Sequence, residues 1–205
     1  TSVMCGIAGA FLPACGSGLQ SHLRAMAGAQ RHRGPDDEGI WVYGEEPLGF
    51  AHRRLSIIDL SPAGHQPMQS AGKRFVICFN GEIYNFQELR TELLAAGHHF
   101  RTASDTETIV HAWEQWGEAC VERFVGMFAF AVFDRKQRTL FLARDRFGEK
   151  PLYYSLLPDG WLVRGAFTEV DTGKTLRRAV IGFGSGKTEM EVQVGVSDLA
   201  SPQPT

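Results

Sequence analysis

The chain has no long apolar run, no excess of basic charge and no cysteines at metal-ligand spacing, and each absence excludes a class of function. No stretch approaches the roughly 20 consecutive apolar residues that a membrane-spanning helix needs. Lys and Arg number 21 against 23 Asp and Glu, a formal net charge of −2. Neither nucleic acid nor an anionic membrane surface is therefore an expected partner. The first residues show no charged segment leading into an apolar one, so no signal peptide is read there and the expected compartment is the cytoplasm. The four cysteines (Cys5, Cys15, Cys78, Cys120) are irregularly spaced and include no C-x-x-C pair, and the seven histidines are scattered. Neither a disulfide framework nor a metal site is expected from that pattern.

What is present suits one domain with a possible appended fragment: 205 residues, 43% hydrophobic and 21% charged. Strands are expected at Met4 to Leu12, Gly39 to Tyr43, Leu48 to Arg54 and Arg74 to Phe79. Each mixes β-branched, aromatic and small residues between Gly, Pro or charged turns. A helix is expected over Gln20 to Gln30. A second, Phe86 to Ala96, would place Phe86, Leu89, Leu93 and Leu94 on one face and stop at Gly97. The next opens with S-D-T-E, Ser104 to Glu107, a capping-box pattern, and carries Ile109, Val110, Trp113 and Trp116. Strands return at Met127 to Phe133, Thr139 to Ala143 and Leu152 to Leu156, with Asp134 to Arg138 as a hairpin turn. Strands, a block of helices, then strands again argue an α+β fold rather than regular parallel βαβ alternation. The runs F-V-I-C-F and M-F-A-F-A-V-F are apolar at consecutive positions, which requires strands covered on both faces.

Several polar segments carry candidate chemistry, each with a plain structural alternative. Arg31 to Gly39 (R-H-R-G-P-D-D-E-G) has the composition of a solvated loop. Arg54, at the end of a strand-like run, is either a bidentate partner for a carboxylate or a surface charge. Asn80 and Gly81 follow an apolar strand and read as a turn; equally, the Asn80 amide and the Gly81 N–H form a donor pair suited to a developing oxyanion. Asp105 either stabilises a helix N-terminus or faces an ammonium group. Cys5 is either a small buried hydrophobe or, if it becomes the first residue, a thiol and a free α-amine on one carbon skeleton.

Taken in order, M-C-G-I-A-G, R-H-R-G-P-D-D, A-H-R-R-L-S-I-I-D-L, G-H-Q-P-M, F-N-G-E-I-Y-N, S-D-T-E, G-M-F-A-F-A-V-F-D and R-D-R-F-G-E-K-P-L-Y-Y resemble one family. It is the class II glutamine amidotransferases, and within them most nearly the glutaminase domain of glutamine-hydrolysing asparagine synthetases. The resemblance runs from Met4 to about Leu157. It implies an N-terminal-nucleophile αββα sandwich of two mostly antiparallel sheets flanked by helices. It also implies hydrolysis of L-glutamine to glutamate and ammonia, with Cys5 as nucleophile and its own α-amine as base. Asn80 and Gly81 would form the oxyanion hole, Arg54 would hold the substrate α-carboxylate and Asp105 its α-ammonium. Leu55, Ile57 and Glu82 would complete the glutamine pocket. The alternatives are another class II amidotransferase and a non-catalytic remnant.

Two departures from the family pattern bear on this reading. Thr1 to Met4 precede Cys5, so active protein is expected to begin at Cys5 after their removal or a start at Met4. The ATP-dependent synthetase part is not seen after Gly160, so ATP and magnesium would belong to a missing domain and no cofactor is expected in this chain. The ammonia acceptor would be absent or on another chain. The expected organisation is an amidotransferase domain over 4–163, cut short at its C-terminal end, an unrelated β-rich tail over 164–200 and a disordered end over 201–205. From Arg164 the tail looks weakly like a β-rich domain of unknown function found in bacterial surface lipoproteins. G-F-G-S-G-K-T, Gly182 to Thr188, lacks the first glycine of a phosphate loop, because position 181 is Ile181, and an alternating strand pattern follows it instead of a helix.

Overall fold

The computed structural model describes residues 4–12, 18–45, 47–157, 160–164 and 191–196. Its elements are β1 (Gly6–Phe11), α1 (Leu19–Ala29), β2 (Asp37–Tyr43), β3 (Leu48–Arg54), β4 (Met68–Gln69), β5 (Phe75–Ile83), α2 (Phe86–Ala95), α3 (Asp105–Trp116), α4 (Cys120–Arg123), β6 (Gly126–Asp134), β7 (Thr139–Arg144), β8 (Tyr153–Leu157), β9 (Gly160–Arg164) and β10 (Glu191–Val196). They form two five-stranded sheets, in the orders β2-β3-β1-β9-β8 and β10-β7-β6-β5-β4. Every pairing is antiparallel except that of β10 with β7.

The apolar runs explain the layering. Successive strand side chains point to opposite faces, and in β5 and β6 both faces find a hydrophobic partner. Val76, Cys78, Ala129, Ala131 and Phe133 join Ile7, Phe11, Leu48 and Phe50 of the first sheet in a core between the sheets. Their neighbours Ile77, Phe79, Phe128, Phe130 and Val132 turn the other way and bury Leu89 and Leu93 of α2 with Ile109 and Val110 of α3. On the far side of the first sheet, Ala8, Ala10 and Ala51 receive Leu19, Leu23 and Ala27 of α1. Small residues are required on that face: a Cβ at Gly49 would meet Leu23 Cδ1 at 2.5 Å. The result is a four-layer helix–sheet–sheet–helix sandwich, as expected for the resemblance.

Several local expectations are corrected. Asn80 and Gly81 are not a turn, because β5 runs on to Ile83 and pairs them with Ala129 and Phe128 of β6. Tertiary pairing overrides the local Asn-Gly preference, and the chain turns at Tyr84 and Asn85 instead. The capping box is half made. Ser104 Oγ accepts from Thr106 N at 3.1 Å, but Glu107 caps the preceding loop, accepting from the amides of Arg101 and Thr102 at 2.7–3.0 Å. Ser104 N donates to Thr102 Oγ1. Leu94 lies half-exposed, off the buried face of α2. The short strand β4 and helix α4 had no clear periodic signal.

The Asp134 to Arg138 hairpin is observed, and Asp134 organises it. Burial pushes its carboxyl up, but the Arg74 guanidinium at 2.6 Å and the Lys136 and Gln137 amides outweigh that and hold it below the usual carboxylate range. Within the residues expected to form the tail, β10 pairs in parallel with β7 and satisfies backbone groups along that edge. The Gly-rich turn expected near 182–188 and the end expected from 201 lie outside the described residues.

Because Phe130 and Phe133 are fully buried on opposite faces of β6, Phe130→Ala and Phe133→Ala should each destabilise the protein by about 3–5 kcal/mol. Urea unfolding of the two variants checks that both cores, not one, hold the sandwich together.

Candidate active site

The ends of β1, β3 and β5 and the start of α3 enclose a cavity of about 330 Å³. Its lining contains Cys5, Arg54, Leu55, Ile57, Asn80, Gly81, Glu82 and Asp105, which are drawn from four separate segments. Every residue selected from the sequence therefore borders one space.

Cys5 sits immediately before β1. The Leu55 N–H donates to its Sγ at 3.3 Å, Sγ lies 3.6 Å from Leu55 O, and Arg33 Nε donates to the Cys5 carbonyl at 3.1 Å. Burial pushes the thiol up, opposed by the Leu55 N–H and by the charge of Arg54. A thiol so placed stays protonated until a base takes its proton. Arg33 is itself buried, so the solvated-loop reading of Arg31 to Gly39 holds only in part: Arg31, His32, Pro35, Asp36 and Glu38 are exposed, while Arg33, Gly34 and Gly39 are buried. The acids of that segment are also engaged: Asp36 accepts from Ser56 N, Asp37 from His65, and Glu38 pairs with Arg53 at 2.6 Å.

Arg54 is buried rather than a surface charge. Its guanidinium donates to Ser61 O at 2.8 Å and to Asp59 O, while a Cβ on Gly64 would overlap it. Two backbone carbonyls thus fix a cation without neutralising it. Asp59 turns its own carboxylate to the Ser61 and Ala103 amides, which ties this loop to the approach to α3.

Asp105, the first residue of α3, accepts from Ile83 N at 3.1 Å. Burial raises its carboxyl to about 6, against the hydrogen bonds that favour the charged form. On the wall between them, Gly81 has φ +156°, and a Cβ there would overlap Met127 O and approach Phe128 Cα to 2.7 Å. Only glycine lets β6 come this close. Behind Asn80, the Phe79 amide donates to Gln66 Oε1 at 2.7 Å and Phe79 O meets His52 Nε2 at 3.0 Å. Burial lowers His52 to about 4, so it is neutral and donates from Nε2.

Ile57 borders the cavity, but its side chain is 65% exposed. Among the lining residues that the sequence reading did not select, Gln66 and Lys150 carry side-chain contacts of their own. Gln66 bridges Phe79 and Thr106. Lys150 is buried, its amine is pushed down by that burial, and Nζ reaches Met4 Sδ. The loop that delivers Lys150 is shaped by Asp145, whose carboxylate accepts from the amides of Phe128, Phe147, Glu149 and Lys150 at 2.8–3.1 Å. The R-D-R-F-G-E-K run held that signal, as a short acid followed by a glycine turn. The sequence did not say that it would fold back on β6.

A family model described as a glutamine amidotransferase domain matches residues 4–170, and a second, described as a domain of unknown function (DUF4410), matches residues 149–204. Two Bacillus subtilis proteins named asparagine synthetase [glutamine-hydrolyzing] 3 and 2 are 47% and 43% identical over 125 and 157 residues, covering 60% and 75% of this chain and 20% of each of theirs. A Methanocaldococcus jannaschii protein named putative asparagine synthetase [glutamine-hydrolyzing] 2 is 38% identical over 167 residues, 74% of this chain and 32% of its own. The chain thus spans about a fifth to a third of the length of these relatives. A solved glutamine phosphoribosylpyrophosphate amidotransferase from B. subtilis superposes with a TM-score of 0.59 at 20% identity, over 78% of this chain and 41% of that one, which shows a shared fold. With the matched region spanning every strand that borders the cavity, this chain belongs to the glutamine amidotransferase domain family.

Proposed function

We propose that the cavity hydrolyses the side-chain amide of glutamine, with Cys5 as nucleophile. The observation that carries this reading is the convergence of a thiol, a fixed guanidinium, a carboxylate and the Asn80–Gly81 donors on one space of about 330 Å³. A free amino acid needs both charges answered: Arg54 would take the α-carboxylate in a charge-assisted bond, and Asp105 would face the α-ammonium. Leu55 and Glu82 would flank the substrate stem. A buried thiol needs a base, and the α-amine of Cys5, with a reference pKa of about 7.7–8, is poised for that role once the Met4–Cys5 peptide bond is cut.

The thiol proton passes to the α-amine as sulfur bonds to the amide carbon. The oxyanion takes hydrogen bonds from the Asn80 amide and the Gly81 N–H. Collapse breaks the C–N bond, and the proton leaves with ammonia. Water, deprotonated by the same amine, cleaves the thioester to release glutamate and restore the thiol. Amide hydrolysis consumes only water, so ATP and magnesium would serve whatever accepts the ammonia. The names of the relatives support asparagine synthesis as that acceptor reaction, in a part of the protein beyond the matched domain. We further propose the organisation expected above, with the amidotransferase unit over 4–163 and a separate origin for 164–200.

Glutamate release should fall on the order of 10³-fold or more in Cys5→Ala, and intact-mass analysis of active protein should find Cys5 as its first residue. Equal rates in both proteins, or full activity with Met4 still attached, overturns the mechanism.

Asp105 supplies a test with opposite signs for stability and function. Its carboxyl must ionise to meet an ammonium, so kcat/KM should decline as pH falls through about 6. Asp105→Asn should raise KM for glutamine by about 10–100-fold, the scale of a charged hydrogen bond. Because the folded pKa is raised from 3.8 to about 6, the native state binds more protons in that window, and stability from this group declines as pH rises through it. Asp105→Asn should therefore stabilise the protein at pH 7.5, on the order of 1–3 kcal/mol. His52, lowered from 6.5 to about 4, acts in the opposite sense, losing stability as pH falls across the same range. The variant should thus show steeper acid destabilisation than the parent, measured as Tm from pH 7 to 4.

A further inference from the structure

Three donor atoms meet between the end of α2 and the middle of α3, away from the cavity. His98 Nδ1 lies 3.2 Å from His111 Nδ1, His111 Nδ1 lies 2.8 Å from Glu114 Oε2, and His98 Nδ1 lies 3.8 Å from the same oxygen. None of the three residues lines the cavity. Three donors around one tetrahedral ion at about 2.0 Å are separated by about 3.3 Å, in the middle of the observed range. We propose that His98, His111 and Glu114 form a binding site for a divalent transition metal, with zinc as the best match.

The surroundings of the two rings argue for this. His98 Nε2 lies 3.0 Å from the Gln115 Oε1 acceptor, so the Nε2 carries the proton. His111 Nε2 is buried without a hydrogen-bond partner, 3.7 Å from the Glu107 carboxylate, so the polar contacts of this ring are made through Nδ1, 2.8 Å from Glu114 Oε2. Two Nδ1 atoms and a carboxylate oxygen thus converge on one point with His98 Nδ1 offering a lone pair, a donor set that a cation among the three would satisfy. The oxygen partner on the outer nitrogen of His98 is also what orients metal-bound histidines. Two imidazoles with one carboxylate suit zinc better than calcium or magnesium, which take oxygen ligands. Side-chain exposures of 17% at His98 and 24% at Glu114, against 6% at His111, leave an entry path and a fourth position for water.

The position gives the ion a structural task. His98 follows the glycine turn that ends α2, its amide donating to Leu93 O at 3.0 Å, while His111 and Glu114 are one turn apart on α3. A metal would clamp the 97–104 connection onto the helix whose first residue is Asp105. Histidines that are scattered in the sequence are brought together only because α2 and α3 pack side by side.

The test is zinc titration by calorimetry on the full chain carrying Cys5→Ala, so that the cavity thiol does not compete, with Tm followed in parallel and Co2+ absorption as a probe of four-coordinate geometry. One equivalent of Zn2+ should bind and raise Tm, and Co2+ should give the spectrum of a four-coordinate ion. Adding His98→Ala should lower affinity at least 10-fold and abolish the Tm shift. Glu114→Gln, which keeps the shape of the side chain, should weaken binding in the same direction and serves if the histidine variant fails to fold. No binding in the parent, or binding and Tm shift unchanged in whichever of these variants folds, overturns the proposal.

Discussion

The close approach of β6 to β5 at Gly81 is the constraint on which the cavity depends. Met127 O and Phe128 Cα occupy the space that any side chain at position 81 would need. That contact lets β5 continue through Asn80 and Gly81 to Ile83 with its hydrogen-bonded register intact. One step further along, the amide of Ile83 is placed to meet Asp105, and the start of α3 is thereby fixed against the strand. Widening the gap between the two strands would move the donor wall, the helix N-terminus and the buried carboxylate together. A single absent Cβ thus couples sheet packing to the geometry of the site.

Buried acids used as backbone acceptors are the second organising device. Asp145 shapes the loop that carries Lys150, Glu107 caps the loop before α3, Asp59 joins the Arg54 loop to Ala103, and Asp134 folds the β6–β7 hairpin. A carboxylate that accepts several amide hydrogen bonds recovers much of what it loses on leaving water. These contacts position irregular segments that no hydrophobic core could hold, and irregular segments form most of the cavity rim. Arg54 applies the converse logic, with backbone carbonyls that anchor a cation yet leave its charge available.

Much of the fold was legible before the structure. Consecutive apolar residues in β5 and β6 required two buried faces, and the observed cores fill both. The helix over 86–95 and the hairpin at 134–138 followed from periodicity and turn chemistry. Of the two readings that Asn80–Gly81 allows, the turn fails because local propensity carries no information about the partner strand. Glu107 was misassigned for the same kind of reason: its better acceptor role lay in a loop whose path the sequence does not specify. Gln66 and Lys150 escaped notice because neither residue type nor spacing distinguishes a buried polar side chain from a solvated one.

The sequence by itself determined the strand and helix inventory, the two-sided burial of the central strands and, through the order of its segments, the family. Those properties are local or cumulative along the chain. Only the tertiary structure decided that Cys5, Arg54, Asn80 and Asp105 share one cavity, that Arg54 is held by carbonyls, and that His98 and His111 meet. Each of these depends on an approach between segments distant in sequence, set by side-chain volume and by which backbone groups remain to be satisfied once the sheets have paired.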